Sequence, residues 1–548
     1  MGAGSRRGRR VVGVLCALAA GLLVPGTTGA TTGAGAAVGT SAGTVWAGPV
    51  RPSGFLMGVA SHLGDRKPRT SDGKLDGEIA LTELGATTLR DEAGWDLMDQ
   101  PGWTDALKIV PQNGGKIMLL LDYGNPKYVQ DGAFPHTPDQ RKAFLEYARA
   151  VVAKVGPGNL AGLEVWNEWD QYMGWDNGLH WGDPCPVDPS DAAGCPAVYA
   201  QLVESLLYPE RENLGVPSLR AAAPGVPIVV NAISARDAPW TSAVMSRLRD
   251  RNVQVDGAVL HPYVNGGNGC PGASSAPAGA QVAASCVRLV ADEVGAAYGQ
   301  RLPIYVTEVG WSSYDGPGGV SEDVQARNLV EVYVRARATG DVAGIWWYDL
   351  VEDRFGNDDQ RHYGLIRRDP SDPIRPGETK PSGHAYAALA HFWAGCTSVD
   401  GAYQGNRTFT LSCPDGQRQI VLDATQAELE AALAGGGVLV DLLGQRPDVG
   451  AGGDVTALVG HPVGVGVPGS AQDAAADGPP PEVDSGAAVV SADSTGTGDP
   501  LSGQPGRPGA RSSSATGHGG VWLAAGIAAG VALAGGLAGL LVRRRART

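Results

Sequence analysis

The chain has 548 residues, 43% of them hydrophobic, and a formal net charge of −14. This length is too great for one small domain and suits a (β/α)8 barrel with additions. The acidic balance speaks against nucleic acid as a partner, because no basic surface is there to neutralise phosphates.

The first 30 residues read as a secretory signal. Arg6, Arg7, Arg9 and Arg10 form a charged region, residues 11–24 an apolar region too short to span a bilayer well, and small residues around Thr28-Gly29-Ala30 suit cleavage. Cys16 falls inside that apolar region and is read with it. Residues 31–50 are a Gly/Ala/Thr linker.

From residue 51 to 393, apolar runs alternate with amphipathic stretches. The runs lie at 55–60, 87–90, 116–122, 162–168, 228–231, 257–261, 304–308 and 344–348, with helical patterns at 139–155, 197–207, 282–298, 322–339 and 384–392. Strands alternating with helices in one domain of this length predict a (β/α)8 barrel. A doubly wound sheet is the runner-up, but no Gly-rich phosphate loop follows the first run.

Past the last barrel helix the pattern changes. Short β-like runs at 408–412, 419–423, 438–442 and 455–459, with turn residues between them, predict a small β-sandwich over 394–467. Residues 468–520 are a Gly/Pro/Ser/Asp-rich spacer with almost no large apolar side chains. Residues 521–542 are an uncharged run that spans roughly 30 Å as a helix. Arg543, Arg544, Arg545 and Arg547 follow, which places a tail at 543–548 in the cytoplasm and everything upstream outside. The layout is also that of a wall-sorting signal, but Ser513-Ser514-Ala515-Thr516-Gly517 keeps only Thr-Gly of the expected motif, so a retained anchor is favoured.

Of seven cysteines, Cys16 is set aside and six remain as close pairs: Cys185/Cys195, Cys270/Cys286 and Cys396/Cys413. Near-neighbour pairing closes three short loops without crossing, as an exported chain permits. No spacing is CxxC and no histidine flanks a pair, so neither a metal nor a cofactor is expected.

Barrel active sites sit at the C-terminal ends of the strands. Two runs deliver a glutamate there: Val165-Trp166-Asn167-Glu168 on the fourth, and Val306-Thr307-Glu308-Val309-Gly310-Trp311 on the seventh. Two such carboxyls are what glycoside cleavage needs, one to protonate the leaving oxygen and one to attack or to activate water. Arg90 ends the second run, His261-Pro262-Tyr263 the sixth, and Trp346-Trp347 the eighth. His62 and Asp122 end the first and third.

These motifs, in this order, resemble the clan A glycoside hydrolases, most nearly the family 39-like members, over roughly residues 55–395. The resemblance rests on Trp166-Asn167-Glu168, His261-Pro262-Tyr263, Thr307-Glu308-Val309-Gly310-Trp311 and Trp347-Tyr348-Asp349. It implies Glu168 as acid/base and Glu308 as nucleophile. One departure is Trp169, where such enzymes often carry proline, and it bears on the neighbouring subsites. In the roles that follow, Glu168 holds its proton through apolar walls, for which Trp166 and Trp169 are candidates, and through the charge of Glu308. Arg90 and the Tyr263 hydroxyl stabilise Glu308, and Asn167 donates to a sugar 2-hydroxyl. Trp347 stacks on a sugar ring, and Trp95, Trp175, Trp181 and Trp311 line rim subsites. His62 and Asp122 are candidate substrate contacts; His261 is either a contact or a hydrogen-bonded core histidine.

The sequence therefore predicts an exported, membrane-tethered retaining glycosidase acting on an extracellular poly- or oligosaccharide, with no nucleic-acid or protein partner evident. Its rivals are a transglycosidase using the same carboxyls, a non-catalytic carbohydrate-binding surface protein, and a surface protein whose β-domain is the working part.

Overall fold

The computed structural model describes residues 48–52, 54–63, 79–129, 134–169, 194–234, 236–264, 270–272, 279–353, 359–371 and 376–466. The expected signal, most of the linker, the spacer, the 521–542 span and the basic tail lie outside them, as do Trp175, Trp181 and the expected Cys185–Cys195 bond. Among the described residues no helix is long and apolar enough to cross a membrane.

Eight parallel strands close into a barrel in chain order. They are β1 (Leu56–Ala60), β2 (Thr88–Glu92), β3 (Lys116–Leu121), β4 (Leu160–Val165), β5 (Ile228–Ile233), β6 (Gly257–Leu260), β7 (Ile304–Val309) and β8 (Val342–Trp347). Helices α1 (Pro138–Val155), α2 (Gly194–Leu207), α3 (Ala238–Asp250), α4 (Ala280–Tyr298), α5 (Glu322–Ala338) and α6 (Pro381–Trp393) follow β3 to β8 in turn. Their starts are chemically marked. Thr137 and Gln140 form a capping box at α1 with Pro138 in the first turn, and Ser321 caps α5 through the Val324 N–H.

The pleat sorts the barrel's interior into layers. Met118, Val229, Val259, Tyr305 and Trp346 pack together as an apolar floor. Two residues further along, β6, β7 and β8 present His261, Thr307 and Tyr348, and Gly162 on β4 gives way to Glu164, while β3 stays apolar at Leu120 and a register shift on β5 turns Asn231 to Thr241 of α3. Period-two alternation thus places a polar layer directly above an apolar one. Gly58 and Gly344 are required beside the floor, since a Cβ at either would lie within 2.8 Å of the Trp346 ring.

The C-terminal region differs from expectation. It is one antiparallel sheet, not a sandwich, with strands β11 (Ser398–Asp400), β12 (Thr408–Cys413), β13 (Gly416–Val421), β14 (Val438–Asp441) and β15 (Val463–Gly466) in the order β11-β12-β13-β15-β14. A small hairpin, β9 (Ile366–Arg368) with β10 (Pro376–Thr379), precedes it. One face of the sheet joins the barrel core through Phe409, Leu411 and Ile420. The other packs Val421, Leu439 and Val463 against Leu429 of α7 (Gln426–Ala434) and Leu458. A helix covers the outer face, which gives the strands the same alternation that a second sheet would. Residues 455–459 are not a strand: Thr456–Leu458 is a single 3-10 turn whose Leu458 plugs the small core.

Two expected disulfides are present, Cys270–Cys286 and Cys396–Cys413.

Candidate active site

The polar layer at the C-terminal mouth is organised by one arginine. Arg90, buried on β2, donates from Nε and Nη2 to the two oxygens of Glu164 at 2.7 and 3.0 Å. Its Nη2 also donates to Asn167 Oδ1 at 2.7 Å, and its Nη1 to Glu308 Oε1 at 2.7 Å. One planar cation therefore fixes side chains from β4, the turn after β4, and β7. Burial would weaken the guanidinium's hold on its proton, but the Glu164 and Glu308 carboxylates outweigh it and raise its pKa further.

Glu308 reaches the mouth through an irregularity. On a regular strand Thr307 and Glu308 point to opposite faces. Here three steps on β7, from Val306 to Val309, oppose two on β8, from Ile345 to Trp347. The extra residue is a bulge that turns both side chains to the mouth. Tyr263 donates its hydroxyl to Glu308 Oε2 at 3.0 Å, so both oxygens of Glu308 are hydrogen-bonded.

Glu168 stands in the turn after β4, where Trp166 and Glu168 adopt left-handed backbone, with φ of 69° and 45°. For side chains of this size such strain costs about 1–3 kcal/mol per residue and persists only where packing imposes it. The packing is aromatic: Trp166 and Trp169 lie 4.8 Å apart, and Trp169 meets Phe134 at 4.8 Å and Tyr199 at 5.1 Å. Trp166 and Trp169 are fully buried and hold the turn from behind.

Glu168 Oε1 accepts from His261 Nδ1 at 2.8 Å. Oxygens of Glu168 and Glu308 and a ring nitrogen of His261 all lie within 4.8 Å of one another. Burial raises the Glu168 pKa, aided by the Glu308 charge and opposed by His261. Glu164 is the converse: burial would raise it, but the Arg90 cation beside it brings it down to about 2. His261 is pushed up to about 10, because Glu308, Glu164 and Glu168 outweigh the burial that would lower it. Arg90 and His261 thus lie among three buried carboxyls, of which Arg90 pulls Glu164 down while burial pushes Glu168 up.

Arg90, Asn167, Glu168, His261, Tyr263 and Glu308 thus converge. Other candidates do not. Trp347 points away from the mouth, as strand parity requires once Trp346 fills the floor. It is fully buried, lies 6.0 Å from Trp311 in a stacked pair, and donates Nε1–H to Tyr363 O at 3.2 Å. Trp311 is equally buried, so the expectation of open sugar platforms at Trp311 and Trp347 is corrected: both rings are packing. Trp95 is buried among Tyr128, Phe144 and Tyr147. Asp122 is fully buried, and its carbonyl accepts from Trp95 N–H and the Tyr147 hydroxyl. His62 stands at the mouth beside Tyr348, with Nε2 3.8 Å from carboxyl oxygens of both Asp349 and Asp353.

Residues that sequence reasoning passed over complete the site. Glu164 and Thr307 lie within strands. Tyr123, 42% exposed, takes a hydrogen bond from Asn167 Nδ2 at 2.9 Å. Tyr348 and Tyr363 pack edge-on to Tyr263. A signal for Glu164 was available: a carboxylate in the middle of an apolar strand demands a buried cation, and Arg90 ends the run two strands away.

A scan against protein-family models finds no match, and a search of curated proteins finds none. Among solved structures, the fold is similar to that of clan A glycoside hydrolases. A family 39 glycoside hydrolase from the gut symbiont Bacteroides cellulosilyticus matches over 75% of this chain and 79% of that protein, at 17% identity and a TM-score of 0.51. A family 39 β-xylosidase from Caulobacter crescentus matches over 68% of this chain and 78% of that protein, at 20% identity and a TM-score of 0.45.

Proposed function

We propose that the protein is a retaining glycoside hydrolase that cleaves O-glycosidic bonds of a poly- or oligosaccharide outside the cell, held at the membrane by its C-terminal segment. The observation that carries this reading is the pair of buried carboxyls with oxygens within 4.8 Å of each other, one hydrogen-bonded to Arg90 and Tyr263, the other to His261. Retaining enzymes hold their carboxyls about 5–5.5 Å apart, whereas inverting enzymes leave about 6.5–9.5 Å for a water. An approach of one oxygen of each to within 4.8 Å favours the nearer arrangement.

In this reading Glu168 enters the reaction with its proton, as the upward push of burial favours. A Glu308 oxygen attacks the anomeric carbon while Glu168 gives its proton to the departing oxygen. Glu168, now a carboxylate, is stabilised by the His261 N–H. It then takes a proton from water as that water displaces Glu308 from the sugar, and the starting states are restored. Asn167, held by Arg90 and Tyr123, is placed to donate to a sugar hydroxyl.

The test is hydrolysis of a glycan panel that includes envelope polysaccharides. Glu168→Gln and Glu308→Gln are each expected to lower turnover by about 10²–10⁴-fold or more with the fold intact. Near-wild-type hydrolysis by either variant would remove that residue from its role.

A further inference from the structure

Behind the reacting pair, the His261 ring that steadies Glu168 heads a chain of contacts with no other part in the reaction. His261 is fully buried, and its two ring nitrogens face different partners. Nδ1 meets Glu168 Oε1 at 2.8 Å, and Nε2 meets Thr307 Oγ1 at 2.9 Å. Thr307 Oγ1 in turn lies 3.1 Å from Glu164 Oε1. Directionality is fixed from the far end. Glu164, clamped by Arg90, is an ionised acceptor, so the single hydroxyl proton of Thr307 goes to it. The hydroxyl must then accept from His261 Nε2–H.

We propose that Glu164 and Thr307 form a positioning relay that keeps His261 doubly protonated, and that the resulting imidazolium sets the pH at which Glu168 gives up its proton. The proposal rests on the glycosidase reading for its meaning in catalysis, but the relay itself is a property of the unliganded protein. No proton moves along the chain during turnover. Nδ1–H stays directed at Glu168 and Nε2–H at Thr307, and the relay acts through charge.

The groups facing His261 are Glu168 from the turn after β4, Glu164 on β4, Thr307 and Glu308 on β7, and Tyr263 two residues along. Glu308 Oε2 lies 3.8 Å from Nδ1. Arg90, which holds Glu164 and Glu308, is the opposing cation. The imidazolium makes Glu168 a stronger acid than burial alone would allow, and it steadies the carboxylate that must later act as base. Without it, Glu168 would hold its proton to a higher pH and release it less readily to a leaving group.

The discriminating variant is Thr307→Val, which keeps the shape and removes the hydroxyl, with Thr307→Ser as its rescue. The first measurement needs no substrate: an NMR titration of the His261 ring in the full chain. The imidazolium-to-imidazole transition is expected to fall by about three pH units or more in Thr307→Val, so that the ring is neutral where Glu168 titrates, and to return towards wild type in Thr307→Ser. The second is the alkaline limb of kcat/KM against pH, which is expected to move to higher pH by about one unit or more in Thr307→Val and not in Thr307→Ser. A merely structural role for Thr307 would lower kcat/KM at all pH values and leave the limb in place. Unchanged titration of His261 in a folded Thr307→Val protein overturns the relay, as does an unmoved limb. If the titration shifts while the wild-type protein hydrolyses no glycoside, the relay stands and the glycosidase reading falls.

Discussion

Arg90 joins Glu164, Asn167 and Glu308 with four hydrogen bonds, all between buried groups. A buried ion pair of this kind adds little net stability, because desolvation offsets attraction, but breaking it from one side leaves a charge without its counterion. Glu164→Ala is therefore expected to destabilise the protein by about 3–5 kcal/mol, read from urea midpoints. The pH dependence follows from the depressed pKa of Glu164, about 2 when folded against 4.5 ordinarily. A depressed carboxyl contributes stability that is fully present above its unfolded pKa and is lost as pH falls through its folded one. The stability gap between wild type and Glu164→Gln should accordingly narrow between about pH 4.5 and about pH 2. A gap that is constant across that window would contradict the assignment of Glu164 as the carboxylate of the pair.

At the scale of elements, the site exists because three strands end differently. β7 carries a bulge, the turn after β4 carries left-handed residues, and β8 ends in regular parity. The Cys396–Cys413 bond does similar work for the sheet, tying the segment after α6 to the end of β12 across 17 residues. Replacing both cysteines by serine should lower stability by about 3 kcal/mol in the chain-entropy model while leaving hydrolysis intact; a loss of activity without unfolding would assign the sheet a part in the site. The eight barrel strands were legible in the sequence because a buried parallel strand writes itself as a continuous apolar run. The carboxyls at two run ends were legible for the same reason. Glu164 was hidden inside its run, since a carboxylate satisfied by Arg90 leaves the run's apolar character nearly intact. Trp347 was misplaced because the two adjacent tryptophans do not say which one faces inward; only Gly58 and Gly344, making room for Trp346, do. Residues 455–459 misled through β-branched residues that cap a small core from a turn.

At the scale of the molecule, barrel and sheet share one core. Arg335 and Arg337 of α5 donate to the carbonyls of Tyr403 and Thr397, each at 2.9 Å, and Phe55, Phe392 and Trp393 pack with the sheet's inner face. A chain ending at Trp393 would leave that face uncovered and should be insoluble, whereas one ending at Gly466 should stay folded and fully active. Activity from the shorter chain would show the sheet to be dispensable. The central claim is that Glu308 bonds to the anomeric carbon before water does, and the product's configuration reports it most directly. Proton NMR of the first product, taken before mutarotation, is expected to show the anomeric configuration of the substrate retained; initial release of the opposite anomer would contradict the account.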